Sequence, residues 1–593
     1  MTEIHPKRHK YIRFYLYFCH CIQITYLLTY PYFMNKLYGL LCASLLTSAL
    51  ATAQNNAKQG LKDVNGVRDV TLDSLAKANQ ARPISGSSRK DGHPVLFLVG
   101  NSTMRNGTLG NGNNGQWGWG YYAHEFFDEN KITVENHALG GTSPRTFYRM
   151  LWPAVLKSIQ KGDYVILELG HNDNGPLDEG RARASYQGAD GHSPLANDSI
   201  EVTIKETGKK ETVYTFGGYI RRFVNEVRSK GATPILFTLT PRKAYEQADT
   251  NRIDRKLTTF TPWIKALASE LHAPCIDLND ISATKLERYG KWKTAYHFFG
   301  DKIHSSAFGA KMNAASMAEG IEASNDAQLD QLRSYLKTDL IHPKSLKEGQ
   351  EQKDKKGKKK PTVFITGDST VKNEDKKEDG MWGWGALAKT IFNTEKCNVI
   401  NAAKAGRSTR TFLEEGRWDS VYNSVEPGDY VLIEFGHNDI GNATIAAGKQ
   451  RGTIATADDT CHVYKLESNG QYEVIYSFGW YLKKFIQDVR EKGGIPILVS
   501  LTPRNEWPGG KIERRNDSYG KWYRQVVEET KVNFIDLHNI TADKLDKMGQ
   551  EKARAMYNHD HTHTSLRGAQ LNAQSIAIGI KRLKQCDLRK LLK

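Results

Sequence analysis

The chain has 593 residues, of which 39% are hydrophobic and 25% are charged, and its formal net charge at pH 7 is +17. The chain is longer than one ordinary domain, so two domains are expected. Its hydrophobic content excludes wholesale disorder. A basic surface suits a polyanionic partner. The sequence contains no nucleic-acid-binding motif, so nucleic acid is not the expected partner.

Residues 1–53 are predicted to be an N-terminal extension and signal peptide. A basic start, Met34-Asn35-Lys36, precedes an apolar run from Leu37 to Leu50 and the small-residue cleavage site Ala51-Thr52-Ala53. This pattern indicates a secretory signal at 34–53, with Met1 or Met34 as the true start. We therefore expect export to the periplasm or the medium, with no stable membrane span after cleavage. An uncleaved membrane anchor is the alternative.

Four of the seven cysteines lie beyond this extension, namely Cys275, Cys397, Cys461 and Cys586. An exported chain could pair them, but only one of the four lies in the first half of the chain. No disulfide framework is implied, and free buried thiols are expected.

The first predicted strand, Val95–Val99, is apolar and β-branched, and Gly100-Asn101-Ser102-Thr103 follows it. Apolar runs at Tyr164–Leu169 and Pro234–Leu239 indicate further buried parallel strands, and the amphipathic segment Tyr219–Lys230 indicates a helix between them. This alternation predicts a three-layer α/β unit. In such units ligands bind at the carboxyl ends of the strands.

The second half of the chain repeats the first. Six blocks occur twice in the same order, which indicates duplication. The paired blocks are Val99–Thr103 and Thr366–Thr370, Trp117–Gly120 and Trp382–Gly385, Gly141–Phe147 and Gly406–Phe412, Gly170–Asp173 and Gly436–Asp439, Leu239–Arg242 and Leu501–Arg504, and Asp301–His304 and Asp560–His563. The repeat predicts strands at Val363–Thr366, Tyr430–Phe435 and Pro496–Leu501, and a helix at Tyr481–Lys492.

Each half also contains a predicted hairpin, which we expect near the rim of a site. The hairpin segments are Glu201–Lys205 and Thr212–Phe216 in the first half, and His462–Leu466 and Tyr472–Phe478, around Ser468-Asn469-Gly470, in the second.

The repeat also sets the domain boundaries. We assign residues 54–92 to a polar lead-in, 93–324 to the first domain, 325–360 to a charged linker and 361–593 to the second domain. The lysine-rich end of the linker is typical of a solvated spacer.

A serine hydroxyl is a weak nucleophile, so it needs a base, and the base needs an orienting carboxylate. In each copy a serine follows the first strand and an Asp-x-x-His block occurs late. The candidate catalytic residues are Ser102, Asp301 and His304 in the first copy, and Ser369, Asp560 and His563 in the second. The oxyanion formed on attack needs hydrogen-bond donors already in place. The candidate donors are Ser102, Gly141 and Asn172, and Ser369, Gly406 and Asn438.

These ordered blocks resemble the SGNH (GDSL-type) hydrolase superfamily. Ala405-Gly406-Arg407-Ser408, Leu501-Thr502-Pro503-Arg504 and Thr562-His563-Thr564-Ser565 are similar to the rhamnogalacturonan acetylesterases within it. The resemblance covers both repeats. It implies a flavodoxin-like α/β/α fold, no metal or other cofactor, and removal of acetyl groups from pectic polysaccharide. The implied partner is an acetylated acidic plant polysaccharide, which agrees with the positive charge.

The first copy departs from the pattern at two places. Asn101 stands where the family has Asp, and Lys302-Ile303 replace His561-Thr562. Since the candidate triad and oxyanion donors remain, activity is expected in both copies. The alternatives for the first copy are a slower site, a different specificity, or mainly substrate binding.

Several neighbouring side chains have two interpretations. Tryptophans either stack on sugar rings or belong to the core, and arginines either bind uronate carboxylates or form structural salt bridges. The residues concerned are Trp117, Trp119, Trp382, Trp384, Arg242 and Arg504. His171 and His437 are expected to be structural. The cluster around His559 and His561 resembles a metal site, but the first copy lacks both histidines, so no metal is expected.

The sequence therefore predicts an exported serine esterase that deacetylates pectic polysaccharide, with rhamnogalacturonan as the expected substrate. The alternatives are another SGNH specificity, such as xylan or sialate deacetylation or lipid or thioester hydrolysis, and a glycan-binding protein whose serines are vestigial. Fold alone does not decide between them.

Overall fold

The structure is a computed structural model, and it describes residues 82–107, 109–189, 191–255, 260–440, 451–466 and 471–593. The predicted signal peptide and most of the lead-in lie outside these residues, as does the hairpin turn Ser468-Asn469-Gly470. No helix within the described ranges is both long and apolar enough to cross a membrane.

Within the described ranges, fourteen strands form two large sheets and two hairpins. They are β1 (Val95–Gly100), β2 (Thr133–Asn136), β3 (Tyr164–Glu168), β4 (Ser199–Thr203), β5 (Lys210–Tyr214), β6 (Thr233–Phe237), β7 (Cys275–Ile276), β8 (Thr362–Thr366), β9 (Asn398–Asn401), β10 (Tyr430–Ile433), β11 (Cys461–Lys465), β12 (Tyr472–Tyr476), β13 (Ile495–Val499) and β14 (Asn533–Ile535).

The α-helices of the first repeat are α1 (Trp119–Tyr122), α2 (Pro144–Met150), α3 (Trp152–Ser158), α4 (Phe216–Ser229), α5 (Phe260–Leu271), α6 (Leu278–Tyr296), α7 (Ala307–Ala323), α8 (Asp330–Arg333) and α9 (Thr338–Ile341). Those of the second repeat are α10 (Ser369–Lys372), α11 (Ala388–Ile391), α12 (Thr409–Glu414), α13 (Arg417–Ser424), α14 (Phe478–Glu491), α15 (Tyr519–Thr530), α16 (Leu537–Met548), α17 (Gln550–Ala553) and α18 (Leu566–Arg582).

Each repeat contains a five-stranded sheet in which all neighbouring strands are parallel. The order is β2-β1-β3-β6-β7 in the first sheet and, written in the same direction, β9-β8-β10-β13-β14 in the second. The two orders correspond strand for strand, which matches the duplication seen in the sequence. The strand that precedes each candidate nucleophile, β1 or β8, lies inside its sheet.

Both faces of each sheet are covered, and alternate residues of the central strands enter different cores. In β1, Phe97 packs with α2, α3, α4 and α5, whereas Leu96 packs with α1 and α7. In β8, Phe364 packs with α12, α13, α14 and α15, whereas Val363 packs with α11 and α18. Continuous apolar strands buried on both faces explain this arrangement. The predicted fold class, two tandem three-layer α/β/α domains, is confirmed.

The segment predicted as a linker is folded over part of its length. Leu329 and Leu332 are fully buried in the core of the first repeat, and Leu336 pairs with Phe127 through an isolated β-bridge. The helical turns α8 and α9 therefore extend the first repeat beyond residue 324. Because the region is rich in charged residues, the leucines that pack it onto the first repeat were not recognised in the sequence.

The two repeats contact each other through the end of α6 in the first and α14 in the second. Trp292 and Tyr296 surround Trp480, with ring centroids at 6.3 and 5.2 Å. Among these rings, Lys293 Nζ lies 2.7 Å from an Asp488 oxygen and 2.8 Å from a Glu491 oxygen. The contact thus combines aromatic packing with a buried ion-pair network.

This contact joins non-equivalent faces of the two repeats. Gly290 and Gly549 mark the same kink in α6 and at the end of α16, with φ of +76° and +81°. Two residues beyond each kink stand Trp292, which contacts the second repeat, and Glu551, which is exposed. Likewise, α4 carries Gly218 where α14 carries Trp480.

Candidate active site

The nucleophile turn follows β1 and β8 directly, and one short side chain holds it in each repeat. Asn101 Oδ1 accepts hydrogen bonds from the Thr103 backbone N–H and hydroxyl, both at 3.0 Å. Asp368 Oδ1 accepts the same two bonds from Thr370, both at 2.9 Å. Replacement of Asp by Asn in the first repeat therefore preserves the turn.

The structure brings the three candidate catalytic side chains of the first repeat together. His304 Nε2 lies 2.8 Å from Ser102 Oγ, and His304 Nδ1 lies 2.6 Å from Asp301 Oδ2. The other oxygen of Asp301 accepts the backbone N–H groups of Ile303 and His304 at 2.7 and 2.8 Å. The loop between α6 and α7 thus folds back over the end of β1.

The second repeat has the same geometry. His563 Nε2 lies 2.9 Å from Ser369 Oγ, and His563 Nδ1 lies 2.5 Å from Asp560 Oδ2. Asp560 Oδ1 accepts the backbone N–H groups of Thr562 and His563, both at 2.7 Å. Lys302 and Ile303 of the first repeat therefore change the loop without changing its contacts to the aspartate.

The two aspartates are suited to remain ionised beside a histidine that takes up a proton. Burial alone would raise the pKa of Asp301, but the His304 contact and the two backbone N–H groups hold that pKa below its usual value. The pKa of Asp560 is lowered in the same way, against a burial effect, by His563 and the backbone N–H groups of the loop.

Gly141 and Gly406 occupy the left-handed region, with φ of +81° and +77°, a conformation that glycine adopts without steric cost. The residues that follow start a helix through capping boxes at Ser143 and Ser408. The Leu139 backbone N–H donates to Gly100 O at 3.2 Å, which holds the glycine loop beside the nucleophile turn.

The candidate asparagines lie against these glycine loops. Asn172 Nδ2 donates to Thr142 O at 3.1 Å, and Asn438 Nδ2 donates to Arg407 O at 3.1 Å. Their second contacts differ: Asn438 also donates to Asp368 at 3.2 Å, whereas the Asn172 carbonyl accepts from Arg183 at 3.2 Å. All three candidate oxyanion elements therefore meet at one edge of each sheet.

A buried glutamate beneath each nucleophile was not identified from the sequence. Glu168, the last residue of β3, accepts from Trp119 Nε1 at 2.8 Å, from the Thr240 backbone N–H at 3.0 Å and from the Thr103 hydroxyl at 3.2 Å. It therefore ties the ends of β1, β3 and β6 together. A charged residue inside an otherwise continuous apolar strand is the signal that could have revealed it.

Glu434 has the same position in the second repeat, with the Trp384 indole, the Thr370 hydroxyl and the Thr502 backbone N–H as donors. Burial raises the pKa of Glu168 to about 7 and that of Glu434 to about 8, with the nearby Asp368 adding to the second shift. Burial thus favours the neutral form of each carboxyl group, and the hydrogen-bond donors around it act in the opposite direction.

The two histidines expected to be structural are buried and do not contact the serines. His171 Nε2 lies 3.2 Å from the Thr240 hydroxyl, and His437 Nε2 lies 3.1 Å from the Thr502 hydroxyl. Burial lowers the pKa of His171 to about 3, and it lowers that of His437 as well. Neutral imidazoles that join neighbouring strand ends are consistent with a structural role.

The sugar-stacking interpretation fails for three of the tryptophans. Trp119 and Trp384 are fully buried under the nucleophile loops, and Trp117 is 7% exposed and packs against Tyr121. The rings are occupied by the core that covers the sheet, so they offer no face to a sugar. Trp382 is half-buried, and its indole donates to Lys377 O at 2.7 Å.

Arg242 and Arg504 are half-buried at the carboxyl ends of β6 and β13. In both, Nε is buried, and it has no hydrogen-bond partner among the described residues. Arg504 Nη1 lies 3.9 Å from Glu506 Oε1, which is too long for a hydrogen bond. Neither guanidinium is therefore saturated by the protein.

Each hairpin is attached to the helix that follows the glycine loop. Arg145 Nε and Nη2 donate to the two oxygens of Glu211 on β5, both at 3.0 Å. Arg410 makes the same fork to Glu473 on β12, at 2.9 and 2.6 Å. This attachment places the hairpins beside the sites, as expected.

The described residues contain no group of three His, Cys, Asp or Glu side chains that could hold a metal ion. In the cluster that resembled a metal site, Asp560 is engaged by His563, and His561 lies 3.4 Å from Glu506. The four cysteines of this part of the chain, Cys275, Cys397, Cys461 and Cys586, are free thiols.

Comparison with known families agrees with the duplicated site. The model of the GDSL-like Lipase/Acylhydrolase family matches residues 98–312 and, a second time, residues 365–571. Each match contains one complete set of the blocks described above.

Two curated proteins are similar to parts of the chain. Rhamnogalacturonan acetylesterase of Emericella nidulans is 29% identical over 215 residues, which are 36% of this chain and 82% of that protein. Rhamnogalacturonan acetylesterase RhgT of Bacillus subtilis is 32% identical over 241 residues, which are 38% of this chain and 92% of that protein.

Among solved structures, Axe2, an acetylxylan esterase from Geobacillus stearothermophilus, is 18% identical and has a TM-score of 0.27. The match covers 40% of this chain and 99% of that one.

Proposed function

We propose that this chain, which belongs to the GDSL-like Lipase/Acylhydrolase family, is an exported serine esterase with two active sites. Its substrate is an O-acetylated acidic pectic polysaccharide, with rhamnogalacturonan as the expected main chain. The observation that carries the proposal is the chain of contacts from serine to histidine to aspartate, found in both repeats. The two similar rhamnogalacturonan acetylesterases support the choice of substrate.

In the first half of the reaction, the serine oxygen attacks the acetyl carbonyl. His304 or His563 takes the serine proton through Nε2, and the adjacent aspartate stabilises the resulting imidazolium. The histidine then gives this proton to the sugar oxygen as the C–O bond of the ester breaks. The products of this half are a free sugar hydroxyl and an acetyl-enzyme.

In the second half, a water molecule replaces the sugar. The histidine removes a proton from the water, the water oxygen attacks the acetyl-enzyme, and the serine leaves with the proton that the histidine returns. Acetate is released, and the starting form of the enzyme is restored.

The negative charge that develops on the carbonyl oxygen in both halves requires fixed donors. In the first site these are the backbone N–H groups of Ser102 and Gly141 and the side chain of Asn172. In the second they are Ser369, Gly406 and Asn438. The contacts of each asparagine with its glycine loop support this role.

Substrate carboxylates are proposed to bind the exposed part of Arg242 and Arg504, which are half-buried at the carboxyl ends of β6 and β13. Trp382, which is half-buried, is proposed to contact a sugar ring. A xylan or sialate deacetylase and a glycan-binding protein remain the competing functions.

The test is acetate release from acetylated rhamnogalacturonan by the wild type, Ser102→Ala, Ser369→Ala and the double variant. Loss of a catalytic serine costs on the order of a million-fold at its own site. We expect each single variant to retain part of the activity and the double variant to retain none. Glycan binding without acetate release by the wild type would instead favour the binding protein, and release from acetylated xylan alone would favour the xylan specificity.

A further inference from the structure

The two active sites differ in charge at several equivalent positions, which fall into two groups. Four pairs lie near the nucleophile turn and the catalytic loop, and first repeat before second they are Asn101 and Asp368, Lys243 and Asn505, Ala244 and Glu506, and Lys302 and His561. On this side, Asn101, Lys243 and Ala244 make the first site more positive than the second. At the glycine loop the difference is reversed, because Leu139 and Thr142 correspond to Lys404 and Arg407. The two sites therefore carry their positive charge on different sides, which suggests different ligands.

Backbone contacts show that these positions correspond in space as well as in sequence. The Lys243 backbone N–H donates to Lys302 O at 2.8 Å, and the Asn505 backbone N–H donates to His561 O at 2.7 Å. Lys302 directly follows Asp301 of the first triad. The substitutions therefore stand beside the catalytic loop.

The largest difference concerns the arginine next to each triad. In the second repeat, Glu506 Oε1 lies 3.9 Å from Arg504 Nη1 and 3.4 Å from His561 Nε2. Ala244 supplies no carboxylate at the corresponding place beside Arg242. Arg504 is thus partly neutralised by Glu506, whereas this neighbour is missing beside Arg242.

The nucleophile turn adds a difference of the same sign. Asp368 and Asn101 make the same hydrogen bonds to the following threonine, so the exchange changes charge and leaves the turn intact. Near the oxyanion asparagine both sites have an arginine: Arg183 donates to the Asn172 oxygen at 3.2 Å in the first, and Arg451, its equivalent, donates to Gly406 O at 3.1 Å in the second. An anionic group close to the reacting ester would be attracted more strongly to the first site.

We propose that the two sites divide an acidic acetylated glycan between them. The first site takes acetyl esters that lie next to a sugar carboxylate, and the second takes esters without a neighbouring carboxylate. This division rests on the esterase function proposed above, and it assigns Ala244 and Glu506 as the positions that set the difference.

The experiment uses the full-length protein with one serine removed at a time. Ser369→Ala reports the first site, and Ser102→Ala reports the second. Each is assayed on an acetylated galacturonate-containing oligosaccharide and on the same oligosaccharide after its carboxylates have been reduced to alcohols. An uncharged aryl acetate reports the esterase chemistry separately.

We expect kcat/KM of the first site to be about five-fold higher on the acidic than on the reduced substrate, as one exposed ion pair provides. This preference should shrink as salt is raised, and the second site should show a ratio near one. Ala244→Glu, added to Ser369→Ala, should lower the ratio of the first site. Glu506→Ala, added to Ser102→Ala, should raise that of the second, and each ratio is compared with aryl acetate hydrolysis by the same variant.

The matched controls are Ala266→Glu and Glu528→Ala, which make the same charge changes on exposed helix positions and should leave both ratios unaltered. Equal ratios in the two single-site proteins would overturn the division while leaving the esterase function intact. Failure of both to cleave even the aryl acetate would overturn the esterase function, and the division with it.

Discussion

Lys293 of the first repeat and Asp488 of the second form an ion pair of 2.7 Å in which both side chains are almost fully buried. Asp488 also accepts a hydrogen bond from the Trp418 indole at 2.8 Å and contacts Lys484. The pair lies at the centre of the contact between the repeats. Lys293 depends on the second repeat for its carboxylate partners, whereas Asp488 keeps Lys484 of its own repeat.

Lys293→Met is expected to destabilise the contact by about 3 kcal/mol, because it removes the cation that the buried carboxylates of Asp488 and Glu491 share. The urea midpoint of the unfolding transition that separates the repeats measures this loss. Lys590→Met, which removes an exposed lysine, is the control and should not shift the midpoint. An unchanged midpoint for Lys293→Met would show that the ion pair contributes nothing to the contact.

Ionisation of Asp488 also makes the stability of this contact depend on pH in the acid range. Burial works against the charge of Asp488, but Lys484 and Lys293 overcome it and lower the pKa to about 2. The pKa of an ordinary aspartate is about 3.9. The stabilisation is therefore complete above about pH 4 and is lost as the pH falls towards 2. We expect Asp488→Asn to flatten the acid limb of a plot of stability against pH, and an acid limb like that of the wild type would contradict this assignment.

Asp301→Asn in the Ser369→Ala background should lower kcat of the first site on the order of ten-thousand-fold, with little change in KM. The reason is that an amide does not stabilise the imidazolium and favours the wrong tautomer of His304. Initial-rate kinetics on an aryl acetate measure the effect. Asp339→Asn, on the exposed surface of α9, is the control. A loss below ten-fold would exclude Asp301 as the partner of His304.

Ionisation of Glu168 makes stability depend on pH in the opposite direction, because stability falls as the pH rises. Burial raises its pKa to about 7, whereas the pKa of a glutamate in the unfolded chain is about 4.3. Between these values the folded protein binds a proton that the unfolded chain has released, so stability falls as the pH rises from about 4.5 to about 7.

Glu168→Gln should remove this part of the slope. The variant should also be less stable overall, because one amide oxygen replaces two carboxyl oxygens that accept three hydrogen bonds. Urea midpoints recorded across this pH range measure both effects. The exposed change Glu528→Gln should leave the slope unaltered. An unaltered slope in Glu168→Gln would mean that the carboxyl group is ionised throughout.

The free thiols predict slow chemical modification. Burial raises the pKa of Cys275 and of Cys397 to about 11, so the reactive thiolate is scarce at neutral pH. In protein that lacks residues 1–53, a thiol-disulfide reagent should react slowly before denaturation and titrate four thiols after it. Fewer than four after denaturation would indicate a disulfide.

The fold was predictable because the three central strands of each sheet are apolar runs and each block occurs twice, whereas the short outer strands β2, β7, β9 and β14 were not predicted. Val95–Val99 and Pro234–Leu239 were both located to within two residues, since apolar strands ended by Gly or Pro leave little ambiguity. The contacts of Ser102 with His304 were foreseen from the order of the blocks, although nothing in their spacing gives the path of the intervening loop.

Three features were not predicted from the sequence, each for a physical reason. Glu168 was hidden inside an apolar run, and its partners come from three separate strand ends. Leu329 and Leu332 lie in a charged segment whose short helical turns carry too few residues for a clear period. Trp292 looks like any aromatic residue of an amphipathic helix until its partner from the other repeat is known.

Because α6 of the first repeat contacts α14 of the second, the two repeats contribute different surfaces to the contact. If the two repeats exchanged places in this contact, Glu551 would face Gly218, and none of the three rings described above would be present. The two halves are therefore no longer interchangeable copies. The duplication gave two similar units, and the contact between them now uses a different surface from each.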